Sequence, residues 1–273
     1  SNLNLFLKSD IIHIHDVFFW ILPIFPILKI FNKKIYITFH GYEGSSSPSR
    51  KAIFWHRLAS LLTDGNICIG GFHKKWYGVD ADITSFGASN VEVTTDLSLN
   101  KKSRIVRILF LGRLAEDTGF LQYLAAIRLI KNKSNIILDV FGDGPHKTVG
   151  MIFANKYKLP VVFHGFQSHS FIDLDHYNIA FVSRYLAILE CLSIGLPVIA
   201  HYNNEIKKDY LLLSPFANWI SASNNSKDIA RLCDKFPKLQ SQNSKINAKK
   251  WAAEQTWEKM QHDYLRLWRV SNN

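Results

Sequence analysis

Short apolar runs rich in β-branched residues alternate along this chain with longer stretches of helical period, and that alternation constrains the fold more than any other feature. In the first third, Ile11 to His15, Ile35 to Phe39, Asn66 to Ile69 and Ile83 to Phe86 read as strands, with a helix from Arg50 to Leu62. Further on, Ile105 to Leu111, Ile136 to Phe141, Val161 to His164, Ile179 to Val182 and Val198 to Ala200 read the same way. Phe120, Tyr123, Leu124, Ile127 and Ile130 make one apolar helical stripe, which begins just after Asp117 and Thr118, both competent to cap a helix. Strands that are apolar on both faces and separated by helices pack as parallel, doubly wound sheets. The expected class is α/β.

A length of 273 residues suits two domains. From Gly87 to Arg104 the chain turns polar and loses its period, as an interdomain connection does. The expected division is therefore a partial first domain over residues 1–98, a second over 99–245, and a segment 246–273 that packs back towards the first domain. That last segment carries an aromatic stripe of Trp257, Met260, Tyr264, Leu267 and Trp268.

At 47% hydrophobic and 20% charged, the composition excludes a disordered chain. The three cysteines, Cys68, Cys191 and Cys233, are far apart in apolar surroundings, which excludes a disulfide framework and a zinc module and points to a reducing compartment. A net charge of +11 calls for an anionic partner: nucleic acid, an acidic membrane or a phosphate-bearing small molecule. The longest apolar run, Val17 to Phe31, is interrupted by Pro23, Pro26 and Lys29 and falls short of the roughly 20 residues of a spanning helix. It reads as an interior or interfacial segment. The start at Ser1 carries no secretory pattern, and the expectation is of a fragment without a signal peptide.

In doubly wound sheets ligands bind at the carboxyl ends of the strands. One strand ends in Gly112-Arg113, where the arginine either clamps a diphosphate or pairs with Glu116 or Asp117. Another ends in Gly142-Asp143-Gly144-Pro145, a tight turn or a place of close ligand approach. Gly165 and Phe166 lie either beside a planar base or as a lid on the core. After a strand stopping at Ser183 comes a loop, Arg184 to Ala187, and then a helix running to Gly195. Free amides at such a helix start bind anions. Glu190, set among Ile188, Leu189, Cys191 and Leu192, suits a diol or the helix dipole. His13 and His15 share a strand face and read as a hydrogen-bonded pair in preference to metal ligands. The triplets Asp80-Ala-Asp82 and Asp173-Leu-Asp175 read as solvated carboxylates, so no metal is expected.

The order HIHD (13–16), TFHG (38–41), FLGRL (110–114), FGDGP (141–145), FHGF (163–166) and SRYLAILECLSIGLPVIA (183–200) resembles the large family of retaining GT-B glycosyltransferases, glycosyl transferases group 1. The resemblance implies two Rossmann-like doubly wound domains, the first of them incomplete and N-terminally truncated. It implies that Arg113 binds the donor diphosphate and Glu190 the ribose hydroxyls. Gly142 and Gly165 would border the nucleotide pocket, Phe166 and Gln167 would lie near the base, and the backbone of Tyr185, Leu186 and Ala187 would cradle the distal phosphate. His40 looks like the first-domain histidine that faces the donor sugar and acts near the reacting carbon.

Three departures stand out. Thr118 occupies the place of the family's lysine, so that phosphate contact is missing or comes from a basic side chain elsewhere. The short loop before Glu190 removes the first of the family's two carboxylates. Against the family's pattern, the expectation is that about three strands of the first domain, with much of the acceptor site, are absent.

The implied activity is transfer of a sugar, with retention, from a nucleotide-diphosphate sugar to a glycan or lipid-linked acceptor. No metal, cofactor or nucleic acid is expected to take part, the expected location is cytoplasmic, and the basic first domain suits peripheral contact with the anionic inner face of a membrane. The alternative is a non-catalytic nucleotide-sugar-binding subunit that needs a partner chain for its first strands, and an epimerase of the same fold is a third reading.

Overall fold

The computed structural model describes residues 3–16, 18–42, 47–88, 105–131, 135–167, 173–235 and 241–269. The expected boundary at residues 98 and 99 lies outside them. The chain forms two compact units, one of Ser1–Gly87 with Trp257–Asn273 and one of Ala88–Thr256.

In the first unit, α1 (Leu3–Lys8) precedes β1 (Ile11–His15), and α2 (Phe25–Ile30) precedes β2 (Lys34–Phe39). Next come α3 (Arg50–Leu62), β3 (Gly65–Cys68), α4 (Phe72–Tyr77) and β4 (Ile83–Thr84). The four strands pair in parallel in the order β1-β2-β3-β4. Ser49 caps α3, its hydroxyl accepting from the Ala52 amide at 3.1 Å. Within the apolar run, Pro26 falls in the first turn of α2, where its missing N–H costs nothing. Phe18, Ile21 and Leu28 are buried while Phe19, Trp20, Ile30 and Phe31 are exposed. Among the described residues no helix is long and apolar enough to cross a membrane.

The second unit contains β5 (Val106–Leu111), α5 (Phe120–Leu129), β6 (Ile136–Phe141), α6 (Lys147–Lys156), β7 (Val161–Gly165) and β8 (Ile179–Phe181). Then follow α7 (Tyr185–Ser193), β9 (Val198–His201), α8 (Glu205–Leu212), β10 (Ile220–Ser223), α9 (Ser226–Asp234) and α10 (Gln242–Ala253). The strands are parallel in the order β10-β9-β8-β5-β6-β7. All five members of the predicted α5 stripe are buried, packed against Ile108, Phe110, Leu138, Val140 and Phe181 of the sheet. Each such side chain contributes about 1.5–3 kcal/mol. The expected caps of α5 do not act as caps. Gly119, at φ +79°, holds the N-cap position and no side chain bonds the first amides.

The last helix, α11 (Trp257–Trp268), belongs to the first unit. Leu267 packs there among Tyr36, Ile67 and Ile83, with Ile11, Tyr264 and Trp268 at the margin.

Candidate functional site

The strand order of the second unit reverses between β5 and β8, so the connections after these neighbouring strands diverge and open a crevice beyond their carboxyl ends. Gly112 and Arg113 follow β5; Ser183 and Arg184 follow β8. The loop expected from Arg184 to Ala187 is shorter than that, because α7 already starts at Tyr185. The cause is a contact distant in sequence. The Tyr185 amide donates to the Tyr210 hydroxyl at 3.0 Å, the two rings stack with centroids 3.9 Å apart, and the Tyr185 hydroxyl donates to the Tyr210 carbonyl. Of the three amides expected to cradle a phosphate, that of Tyr185 is thus engaged within the protein. Among the described residues those of Leu186 and Ala187 have no acceptor.

Arg113 is exposed, and its Nη2 donates to both oxygens of Asp117 at 3.0 Å. Arg184, at the N-cap of α7, donates to the same carboxylate. Burial works against the ionised Asp117, but Arg184 and then Arg113 hold its pKa below the ordinary value. Thr118 is buried, and its hydroxyl donates to the carbonyls of Arg113 at 2.7 Å and Ala115 at 2.9 Å. It shapes the turn that carries Arg113.

Beneath the turn that follows β8 lies Lys207, 0% exposed. Its Nζ donates to the Ser183 carbonyl at 2.5 Å and lies 4.8 Å from the Tyr210 ring centroid. Burial and then Arg184 lower its pKa well below the usual lysine value, with Asp117 opposing. The Ser183 hydroxyl meets the Tyr123 hydroxyl at 2.8 Å, donates to the Thr118 carbonyl and accepts from the His201 amide. Sequence reading missed Lys207. The available signal was its place on the face of α8 shared with Tyr210 and Leu211, both buried.

The glycines at the other strand ends differ. Gly142, at φ +142°, donates its amide to the Gly165 carbonyl at 2.8 Å, and a β-carbon on it would overlap the Gly112 carbonyl oxygen. A β-carbon on Gly165, at φ +74°, would meet nothing within 4 Å. Beside it Phe166 is 81% exposed and Gln167 is exposed. Phe166 is therefore no lid on the core. Glu190, in the second turn of α7, is half-buried between Leu189 and Cys191.

In the first unit His40 directly follows β2. Its amide donates to Asp16 Oδ1 at 2.6 Å and its Nε2 lies 2.6 Å from His15 Nδ1. His13 and His15 stack at 5.1 Å, and each has its own partner. Trp268 Nε1–H donates to His13 Nδ1 at 3.0 Å, so His13 Nε2 carries the proton given to Thr38 Oγ1 at 2.8 Å. Burial, then His15 and His40, lower the His13 pKa to about 4. Burial and His40 lower that of His15, with Asp16 opposing. The acidic triplets have structural contacts. Asp82 accepts from the Asn66 amide at 2.8 Å, Asp80 pairs with Lys74, and Asp173 pairs with His176. Among the described residues no group of three or more His, Cys, Asp or Glu is arranged to hold a metal.

No family model and no curated protein matches the sequence. Solved structures do. The chain is similar to the apo lipopolysaccharide outer core galactosyltransferase WaaB, with TM-score 0.70 and 14% identity over 97% of this chain and 77% of that one. It is similar to a glycosyltransferase from Rickettsia africae, with TM-score 0.70 and 16% identity over 99% and 81% of the two chains. It is also similar to HepE of Anabaena in complex with UDP-glucose, with TM-score 0.68 and 15% identity over 98% and 81%. With its two parallel-sheet units and the reversal of strand order at β5 and β8, the chain has the GT-B fold of these glycosyltransferases.

Proposed function

We propose that this protein is a glycosyltransferase that moves a sugar, with retention, from a nucleotide-diphosphate sugar to a glycan or lipid-linked acceptor. One observation carries the reading: the β5/β8 crevice joins an exposed arginine to a helix start with two open amides. The HepE structure with UDP-glucose supports the class of donor. In this reading the second unit holds the donor and the first serves the acceptor.

Arg113 and the amides of Leu186 and Ala187 bind the diphosphate, and Glu190 accepts from the ribose hydroxyls. The open space over Gly165 admits the base, with Phe166 and Gln167 beside it. The bond from the anomeric carbon to the diphosphate breaks, and the cationic groups stabilise the departing charge. The acceptor hydroxyl gives its proton to the leaving phosphate and forms the new bond on the same face. His40 is proposed to act near the reacting carbon. A hollow of about 420 Å³ lined by Asp16, Phe18, Phe19, Trp55 and His56 suits an acceptor. Exposed Phe19, Trp20, Ile30 and Phe31, beside Lys29 and Lys33, suit an anionic membrane carrying a lipid-linked one.

Calorimetry with nucleoside diphosphates tests this. Arg113→Ala and Glu190→Ala are each expected to weaken binding, the first by roughly 10- to 100-fold for a lost charge-assisted contact. Unchanged affinity in both variants defeats the assignment. A second reading, a nucleotide-sugar-binding subunit completed by another chain, draws on β1, which pairs with β2 alone among the described strands. Donor turnover that appears only after a partner polypeptide is added would favour it.

A further inference from the structure

Thr118 cannot supply the phosphate contact of the lysine whose place it takes. It has no charge, it is buried, and its hydroxyl is committed to two backbone carbonyls of its own turn. Another cation stands nearby. Arg184 projects from the N-cap of α7, two residues before the first of the open amides of Leu186 and Ala187, and its guanidinium shares the Asp117 carboxylate with Arg113.

Two guanidiniums from different strand ends therefore converge on one anion. The Asp117 side chain is itself partly exposed, so the meeting point is open to solvent. Carboxylate and phosphate oxygens accept from guanidinium forks in the same way. The turn bearing Arg184 is also fixed from below, because the preceding carbonyl, that of Ser183, accepts from the buried Lys207 ammonium or amine.

We propose that Arg184 is the second cation of the diphosphate subsite and takes over the contact that Thr118 cannot make, with Asp117 holding both arginines in place until the diphosphate replaces it. The inference rests on the donor-site reading given above. It adds a residue of this chain, set on the other strand of the crevice, to the groups that meet the leaving group.

The test is titration calorimetry of the full chain with UDP, GDP and ADP, and with the nucleoside of whichever binds. Wild type and Arg184→Ala are compared, with Arg184→Lys as the conservative variant and circular dichroism as the check of folding. The expected result is a loss of roughly 10- to 100-fold in diphosphate affinity for Arg184→Ala, unchanged nucleoside affinity, and a smaller loss for Arg184→Lys. Equal diphosphate affinity in wild type and Arg184→Ala overturns this inference and leaves the donor-site reading standing. A parallel loss for nucleoside and diphosphate also overturns it, because that marks a merely structural role. Failure of the wild type to bind any of the three diphosphates removes the donor-site reading and this inference together.

Discussion

Gly142 and Gly112 lie so close that a β-carbon on Gly142 would overlap the Gly112 carbonyl oxygen. The ends of β5 and β6 can therefore approach only as glycine. Gly165, one strand further, has open space where its side chain would be. Gly142→Ala is expected to cost more stability than Gly165→Ala, which bears only the left-handed backbone penalty of about 1–2 kcal/mol. Urea denaturation of the two variants side by side measures the difference, and equal losses would contradict the packing described.

Thr118→Val keeps the shape of a buried side chain while removing the donor to the Arg113 and Ala115 carbonyls. The expected cost is about 1–3 kcal/mol. The turn that sets Arg113 loosens with it, so nucleoside diphosphate affinity should fall too. A stability loss with no change in affinity would separate the turn from binding.

Folded His13 takes up a proton only near pH 4, whereas the unfolded chain does so near 6.5. Between these values the unfolded state holds the extra proton, so stability falls as the pH is lowered from about 6.5 to about 4. His73 and His201, each lowered to about 4 chiefly by burial, act in the same direction. His13→Gln should be less stable at pH 7, through loss of its two hydrogen bonds, yet show a shallower decline towards pH 4.5. Thermal midpoints across that range provide the measurement.

Lys207→Met retains the length and apolar stem of the side chain but deletes the donor to the Ser183 carbonyl. Removing a desolvated amine is expected to leave stability at neutral pH equal or higher. Because the native state holds the lysine pKa down, wild type loses stability as the pH drops from the unfolded lysine value near 10.4, and the variant should lack that slope. Diphosphate affinity is expected to fall by roughly 2- to 10-fold as the Arg184 turn loosens. Denaturation and calorimetry on the same preparation report both.

Most strands were legible because they are apolar runs bounded by polar or glycine residues, and the α5 stripe because its spacing keeps Phe120 to Ile130 on one face. β10 was missed: its sequence Ile-Ser-Ala-Ser carries no apolar run, and its place in the sheet comes from pairing with β9. The caps of α5 were misread because Asp117 and Thr118 are drawn into longer-range bonds with Arg184 and the Arg113 carbonyl. In the candidate site, the place of Arg113 was legible because it directly follows the apolar run of β5 and Gly112. The site was hidden where a contact distant in sequence decides, as with Tyr210 under the start of α7 and Lys207 under Ser183.

The layer over Tyr36, Ile67 and Ile83 comes from α11, which the ribosome makes only after the entire second unit. While the second sheet can close as soon as its own strands and helices emerge, the earlier one keeps part of an apolar face bare until translation passes Trp268. For that interval the nascent polypeptide presents an adhesive surface, which makes its first unit, although synthesised first, the last to be finished.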